Sequence, residues 1–135
     1  MVTPKTTKAK AVVVSLWRAH GMFLKGGTAD TATRLAEEVS GHKLSDEDKD
    51  GIKSAAGVAF VDAEPWIMWA KDENNVGEIA HELFHVTSHI MRTRGLTLSR
   101  DSEEAYAYTL TYLTNMFFDK TGWKDGRKIH FRASR

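Results

Sequence analysis

Cysteine is absent from the sequence. This absence excludes a disulfide framework, a thiolate metal site and a cysteine nucleophile within this chain, so a metal ligand must be histidine, aspartate or glutamate. A chain without thiols also suits a reducing compartment, and we expect a cytoplasmic protein.

Long apolar runs are also absent, since none approaches the roughly 20 residues that a membrane-spanning helix requires. The longest candidate near the N-terminus, AVVVSLW (11–17), follows a basic segment, but no small-residue cleavage site clearly follows it. This pattern favours a strand over a signal peptide. We therefore expect no membrane partner.

Acidic residues are scarce at both ends of the chain. None precedes Asp30, and Asp125 is the one acid among six lysines and arginines in residues 120–135. We interpret residues 1–10 as a flexible basic arm and residues 121–135 as a basic tail, both solvated. Contact of these ends with nucleic acid is the less favoured alternative.

The 135 residues are enough for one domain with a single core. β-Branched and aromatic runs predict strands at 11–17, 57–63 and 65–70, and Pro65 suits the start of an edge strand. The glycine-rich stretch 21–27 is typical of a turn or loop.

Helical periodicity supplies the other elements. It predicts a helix from Thr28 to Gly41, a charged turn or short helix at 45–55, a long helix at 76–94 and a last helix from Asp101 to about Lys120. The last helix would begin at a capping box of Asp101 and Glu104. We therefore predict one α+β domain over residues 11–120, with a small antiparallel or mixed sheet packed on the two later helices.

The segment EIAHELFHVTSH (78–89) carries the clearest chemical pattern. His81 and His85 are four apart, so a helix places both rings on one face, about 6 Å apart, within reach of one metal ion. Glu82 lies next to them and can accept a proton from water. This His-Glu-x-x-His spacing predicts two zinc ligands and a general base on one rigid helix. A match by chance is expected in about one chain in a few hundred.

A catalytic zinc usually takes three protein ligands, and the spacing does not supply the third. His89 would be about 12 Å from His81 along a straight helix, too far to share one ion. The metzincin pattern needs glycine and histidine where this chain has Ser88 and Met91. Glu103 and Glu104 of the next helix both remain candidates.

The run GEIAHELFHVTSHIMRTRGLTLSRDSEEAYAYTLTYLTN resembles a group of small bacteriophage proteins with a similar helix, an Arg-Gly turn and a Glu-Ala-Tyr-Ala-Tyr segment. His-Glu-x-x-His followed by a glutamate about twenty residues later is similar to the gluzincin metallopeptidases. The resemblance covers residues 57–118 and implies a minimal zincin-like peptidase in an infected bacterium, with Glu104 as the third zinc ligand. No aspartate follows that glutamate as in the thermolysin-like pattern.

Two further residues or segments have predicted roles. Tyr108, four residues after Glu104, is a candidate donor to a developing oxyanion, although a half-buried packing role is the plainer interpretation. The backbone of the strand at 65–70 is predicted to hold a peptide substrate by strand addition. Trp66 and Trp69 are candidates to flank the cleft, although a role as core aromatics of a half-buried strand is the favoured interpretation of their side chains. A zinc-binding protein without catalysis, and a helix-rich interaction module for nucleic acid or protein, are the alternatives to a zinc metallopeptidase.

Overall fold

The computed structural model describes residues 6–62 and 64–128. Its elements are, in chain order, β1 (Lys8–Val14), β2 (Ala19–Lys25), α1 (Ala29–Ser40), α2 (Asp46–Lys53), β3 (Gly57–Phe60), β4 (Trp66–Ala70), α3 (Val76–Thr93), α4 (Glu103–Phe118) and β5 (Lys124–Asp125). Short 3-10 turns follow β1 and β5. The predicted α+β class is confirmed.

The five strands form one mixed sheet in the order β3-β4-β2-β1-β5. β2 and β4 are parallel, and the other neighbours are antiparallel. Because side chains alternate between the two faces of a strand, the sheet separates two apolar clusters. Residues of α3 and α4 pack on one face, and residues of α1 and α2 pack on the other.

The prediction of a loop at 21–27 is wrong, because residues 21–25 belong to the central strand β2. A Cβ atom at Gly21 would lie 2.0 Å from the ring of Trp66, so this glycine makes room for a buried tryptophan on β4. The turn begins only at Gly26 and Gly27, whose φ angles are +76° and +73°. Thr28 then caps α1 by accepting a hydrogen bond from Thr31 N–H.

The predicted edge position of the strand after Pro65 is also wrong. β4 lies inside the sheet, between β3 and β2, and every one of its residues is buried. Trp66 and Trp69 are both fully buried, which agrees with the favoured core role of their side chains, and neither ring flanks a cleft. The edge strand on this side is β3.

The predicted bounds of the basic arm and tail need correction. Thr7 is buried and donates to the Gly26 carbonyl, and β1 begins at Lys8, so residues 7–10 belong to the folded domain. In the predicted tail, β5 pairs with β1, with Lys8 opposite Asp125. Residues 1–5 and 129–135 lie outside the described residues. Lys8 and Ala9 of the predicted arm are therefore sheet neighbours of Asp125 and Lys124 of the predicted tail.

The long helix α3 matches its prediction closely. Asn75 caps it by accepting from Glu78 N–H, and it runs for 18 residues to Thr93. The start of α4 differs, because Ser102 and not Asp101 is the N-cap residue. The Ser102 hydroxyl turns back to donate to the Thr97 carbonyl instead of capping α4. Among the described residues, no helix is both long and apolar enough to cross a membrane.

The packing of Trp66 over Gly21 leads to a stability prediction. Gly21→Ala places a methyl group inside the volume of the Trp66 ring, and overpacking of this kind typically costs about 1–3 kcal/mol. Gly51→Ala is the matched control, since nothing lies within 4 Å of a Cβ in that helix position and alanine favours a helix by roughly 0.5–1 kcal/mol. Urea unfolding of the two variants should shift in opposite directions. Equal midpoints would contradict the packing described for β2 and β4.

Candidate metal centre

Helix α3 places the His-Glu-x-x-His residues on two sides of its surface. His81 and His85 are exposed, whereas the Glu82 side chain is only 7% exposed and points toward the sheet. The buried stripe Ile79, Leu83, Val86 and Ile90 holds the helix on the sheet. Because of this packing, the helix presents both imidazoles to solvent from a fixed support.

The two imidazoles are arranged as a pair of metal ligands would be. Their Nε2 atoms are 3.2 Å apart, and the ring planes meet at 73°. Zinc–nitrogen bonds of 2.0–2.1 Å in a tetrahedral site require about 3.3–3.4 Å between ligand nitrogens. The observed separation therefore fits one shared zinc ion with very little adjustment, and neutral imidazole is an ordinary zinc ligand.

Glu82 lies beside this pair. Its Oε2 atom is 3.9 Å from His81 Nε2, and one ligand atom from each of His81, Glu82 and His85 lies within 4.8 Å of the others. The backbone N–H of Ala59, on the edge strand β3, faces the Glu82 carboxyl group and acts to lower its pKa. The predicted base is therefore next to the sheet as well as on its own helix.

The surroundings of Glu82 favour its protonated form. Burial is the main cause, followed by a hydrogen bond with the Glu78 side chain and the negative charge of that side chain, and together they raise the pKa of Glu82 to about 8. The Ala59 N–H acts in the opposite direction. The negative charge of Glu78 at short range makes ionisation of Glu82 more costly. A bound cation nearby would favour the ionised form.

Glu78 was not identified from the sequence as a neighbour that affects Glu82. Its position four residues before Glu82 was the available signal, since that spacing places two side chains together on one helix face. The spacing of alternate residues along β3 matches the four-residue spacing along α3. Glu78 lies against Gly57, and Glu82 lies near the N–H of Ala59, two residues further along β3. The face of α3 that carries Glu78 and Glu82 thus follows the edge strand.

The structure does not bring Glu104 to the two histidines. Among the described residues, the group of potential metal ligands consists of His81, Glu82 and His85. Glu104 is exposed in the first turn of α4, near the far end of α3, where the Tyr106 hydroxyl donates to the Leu96 carbonyl at 2.8 Å. Helix α3 continues for eight residues beyond His85, which is about 12 Å.

Contacts along α4 hold it in this position. Trp17 Nε1 donates to Thr109 Oγ1 at 2.9 Å, and Lys10 Nζ donates to the Met116 carbonyl at 2.6 Å. A ligand role for Glu104 or Glu103 therefore has no support in the described positions of these residues, and it stays a prediction. Tyr108 is 69% exposed, so the half-buried packing role expected for it is wrong.

His89 lies on the packed face of α3 and not on the side of His81 and His85. It is buried, and its Nε2 atom has no hydrogen-bond partner in the described part of the chain. Burial lowers its pKa, with the nearby charge of Glu64 acting in the opposite direction. His89 is therefore a neutral residue of the packed face, consistent with its exclusion as a ligand.

Comparison with family models, with curated proteins and with solved structures found no match to this chain. The resemblance to bacteriophage proteins and gluzincins thus stays a prediction. The interpretation of this centre depends on its own geometry.

The raised pKa of Glu82 predicts a pH dependence of folding in metal-free protein. A carboxyl group with an unfolded pKa of 4.5 and a folded pKa of about 8 binds more protons in the folded state between these values. Its stabilising contribution is full below pH 4.5 and is lost as the pH rises to about 8. Urea unfolding of Glu82→Gln should lack this loss when compared with the unmodified protein. Parallel stability profiles for the two proteins would contradict the buried, proton-holding environment of Glu82.

Proposed function

We propose that this chain is a zinc-dependent metallopeptidase in which His81 and His85 hold the metal and Glu82 is the general base. The observation that carries the proposal is the 3.2 Å separation of the two Nε2 atoms with the Glu82 carboxyl group beside them. A helix that only packs on a sheet has no need of this arrangement on its solvent side. The proposed setting is the cytoplasm.

Bound zinc would act as a Lewis acid that lowers the pKa of water and polarises the substrate carbonyl. Glu82 accepts the proton from the attacking water as the new C–O bond forms at the scissile carbonyl. The same carboxyl group delivers this proton to the amide nitrogen as the C–N bond breaks. A carboxyl group whose surroundings raise its pKa is suited to holding that proton between the two steps.

We assign to β3 the peptide-pairing role that the sequence predicted for β4. Both edges of β4 are already paired, whereas β3 is the outermost strand and lies beside α3. In an antiparallel ladder the N–H and C=O of one residue point to the same edge. Ala59 N–H points to Glu82, so its carbonyl is also directed to the outer edge. We propose that an extended peptide pairs there, next to Glu82.

The third protein ligand separates a peptidase from a non-catalytic zinc site. If the third ligand is Glu104, as the resemblance implies, Glu82 is free to act as a base. Glu82 is the carboxylate that the described structure places with the two histidines, and as a ligand it would be removed from catalysis. Zinc binding without hydrolysis is therefore the second candidate function. Oxyanion stabilisation by Tyr108 belongs to the first candidate alone.

Metal content provides the first test. Tag-free protein loaded with zinc and dialysed should retain about one zinc per chain by elemental mass spectrometry, as expected for a single ligand cluster. His85→Ala should lose the metal, while His42→Ala, outside the cluster, should keep it. Loss of zinc from Glu104→Ala but not from Glu103→Ala would support Glu104 as the third ligand, as the peptidase requires. Zinc-free protein after loading would contradict both candidate functions.

Peptide hydrolysis provides the second test. A mixture of unstructured peptides should be cleaved by the zinc-loaded protein, with cleavage abolished by chelation and restored by added zinc. Glu82→Gln should retain the metal and lower the rate by roughly 10²–10⁴-fold, because it removes the general base. Zinc retention with no cleavage by either protein would favour the non-catalytic site.

A further inference from the structure

A second site with a different chemistry lies at the end of the sheet where β1 begins and β2 and β4 end. It is a cavity of about 270 Å³ lined by Lys8, Lys25, Gly26, Lys71, Glu73 and Trp123. Three lysine side chains therefore line one small cavity together with a single glutamate. Such an excess of positive charge in one concave space attracts anions.

The strand register adds to this excess. Lys8 and Lys25 are direct partners in the β1–β2 ladder, so their side chains leave the same face of the sheet next to each other. Like charges directly opposite in a ladder destabilise it. Asp125, opposite Lys8 on β5, offsets part of this repulsion, and an anion bound between the two lysine side chains would offset more of it.

Lys25 is held in position within the cavity. Its Nζ atom is 2.8 Å from Glu73 Oε2 and 4.2 Å from the centre of the Trp123 ring. The ring is anchored in turn against Phe23 and Phe117. One lysine of the site is therefore preorganised, and Glu73 neutralises no more than one of the three charges. Lys8 and Lys71 are exposed and form no ion pair among residues 6–62 and 64–128.

Trp123 limits the kinds of ligand that fit. Because Lys25 lies over the indole, the ring forms a wall of the cavity and offers no free face there for stacking of a base. The volume is also below the roughly 300–1,000 Å³ usual for sites of drug-sized ligands. These two features favour a compact, multiply charged anion over a flat aromatic one.

We propose that this lysine-lined cavity binds the phosphate group of a phosphorylated ligand. Phosphate offers several acceptor oxygens and up to two negative charges, which suits a cavity lined by three lysine side chains. The group could belong to a small phosphorylated molecule or to the terminal phosphate of a nucleic acid. The site is separate from the histidine pair and does not depend on the proposed peptidase function.

Calorimetric titration of metal-free protein with pyrophosphate, at fixed ionic strength, tests the proposal. We expect one site per chain, weakened roughly tenfold by Lys71→Gln and likewise by Lys8→Gln, since each variant removes one charge-assisted hydrogen bond. Lys43→Gln, an exposed lysine between α1 and α2, is the matched control and should bind like the unmodified protein. His81→Ala should also leave the affinity unchanged. No binding, or equal weakening by all three lysine variants, would overturn the proposal.

A second titration distinguishes the source of the phosphate. A short single-stranded oligonucleotide with a 5′-phosphate should bind more tightly than the same strand without it if the site accepts a terminal phosphate, and Lys71→Gln should remove the difference. Pyrophosphate binding without this difference would assign the site to small phosphorylated molecules. Equal, strongly salt-dependent binding of both strands that is unaffected by Lys71→Gln, together with no pyrophosphate binding, would indicate general attraction to polyanions and contradict a phosphate site.

Discussion

The candidate metal centre depends on the packing of α3 against the sheet. One face of this helix contributes Ile79, Leu83, Val86 and Ile90 to the core, and the opposite face presents His81 and His85 to solvent. Since the apolar stripe fixes the rotation of the helix, it also fixes the direction of both imidazoles. The 3.2 Å spacing of their Nε2 atoms is thus a consequence of core packing and of the four-residue separation together.

Glu82 lies at the boundary between these two faces, and its chemistry follows from that position. Its carboxyl group is buried enough for its pKa to be raised, yet its Oε2 atom is 3.9 Å from an exposed imidazole. Glu78 and the Ala59 N–H act on it in opposite directions. A cation held by the histidines would change this balance toward the ionised form. The protonation of the proposed base would therefore depend both on a metal bound by the histidines and on the neighbouring edge strand.

Local signals in the sequence predicted most of the helices and strands but not which of them pair or pack together. The periodicity of α3 and the stop of α1 at Gly41 identified helices, because helix geometry is set by nearby residues. Gly21 was interpreted as a turn residue, since nothing local shows that Trp66 will occupy the space above it. The interior place of β4 and the pairing of β5 with β1 are likewise contacts between distant parts of the chain. At the site, the motif identified His81, Glu82 and His85, whereas the position of Glu104 depends on how α4 docks.

The most direct test of the central claim is a crystal structure of the zinc-loaded protein, with anomalous diffraction measured at both sides of the zinc absorption edge. The account predicts one anomalous peak about 2.0–2.1 Å from the Nε2 atoms of both His81 and His85, with the Glu82 carboxyl group close by. The remaining ligands in that map would also identify whether Glu104 reaches the ion. A zinc peak bound away from the histidine pair, or no peak in zinc-loaded crystals, would contradict the account.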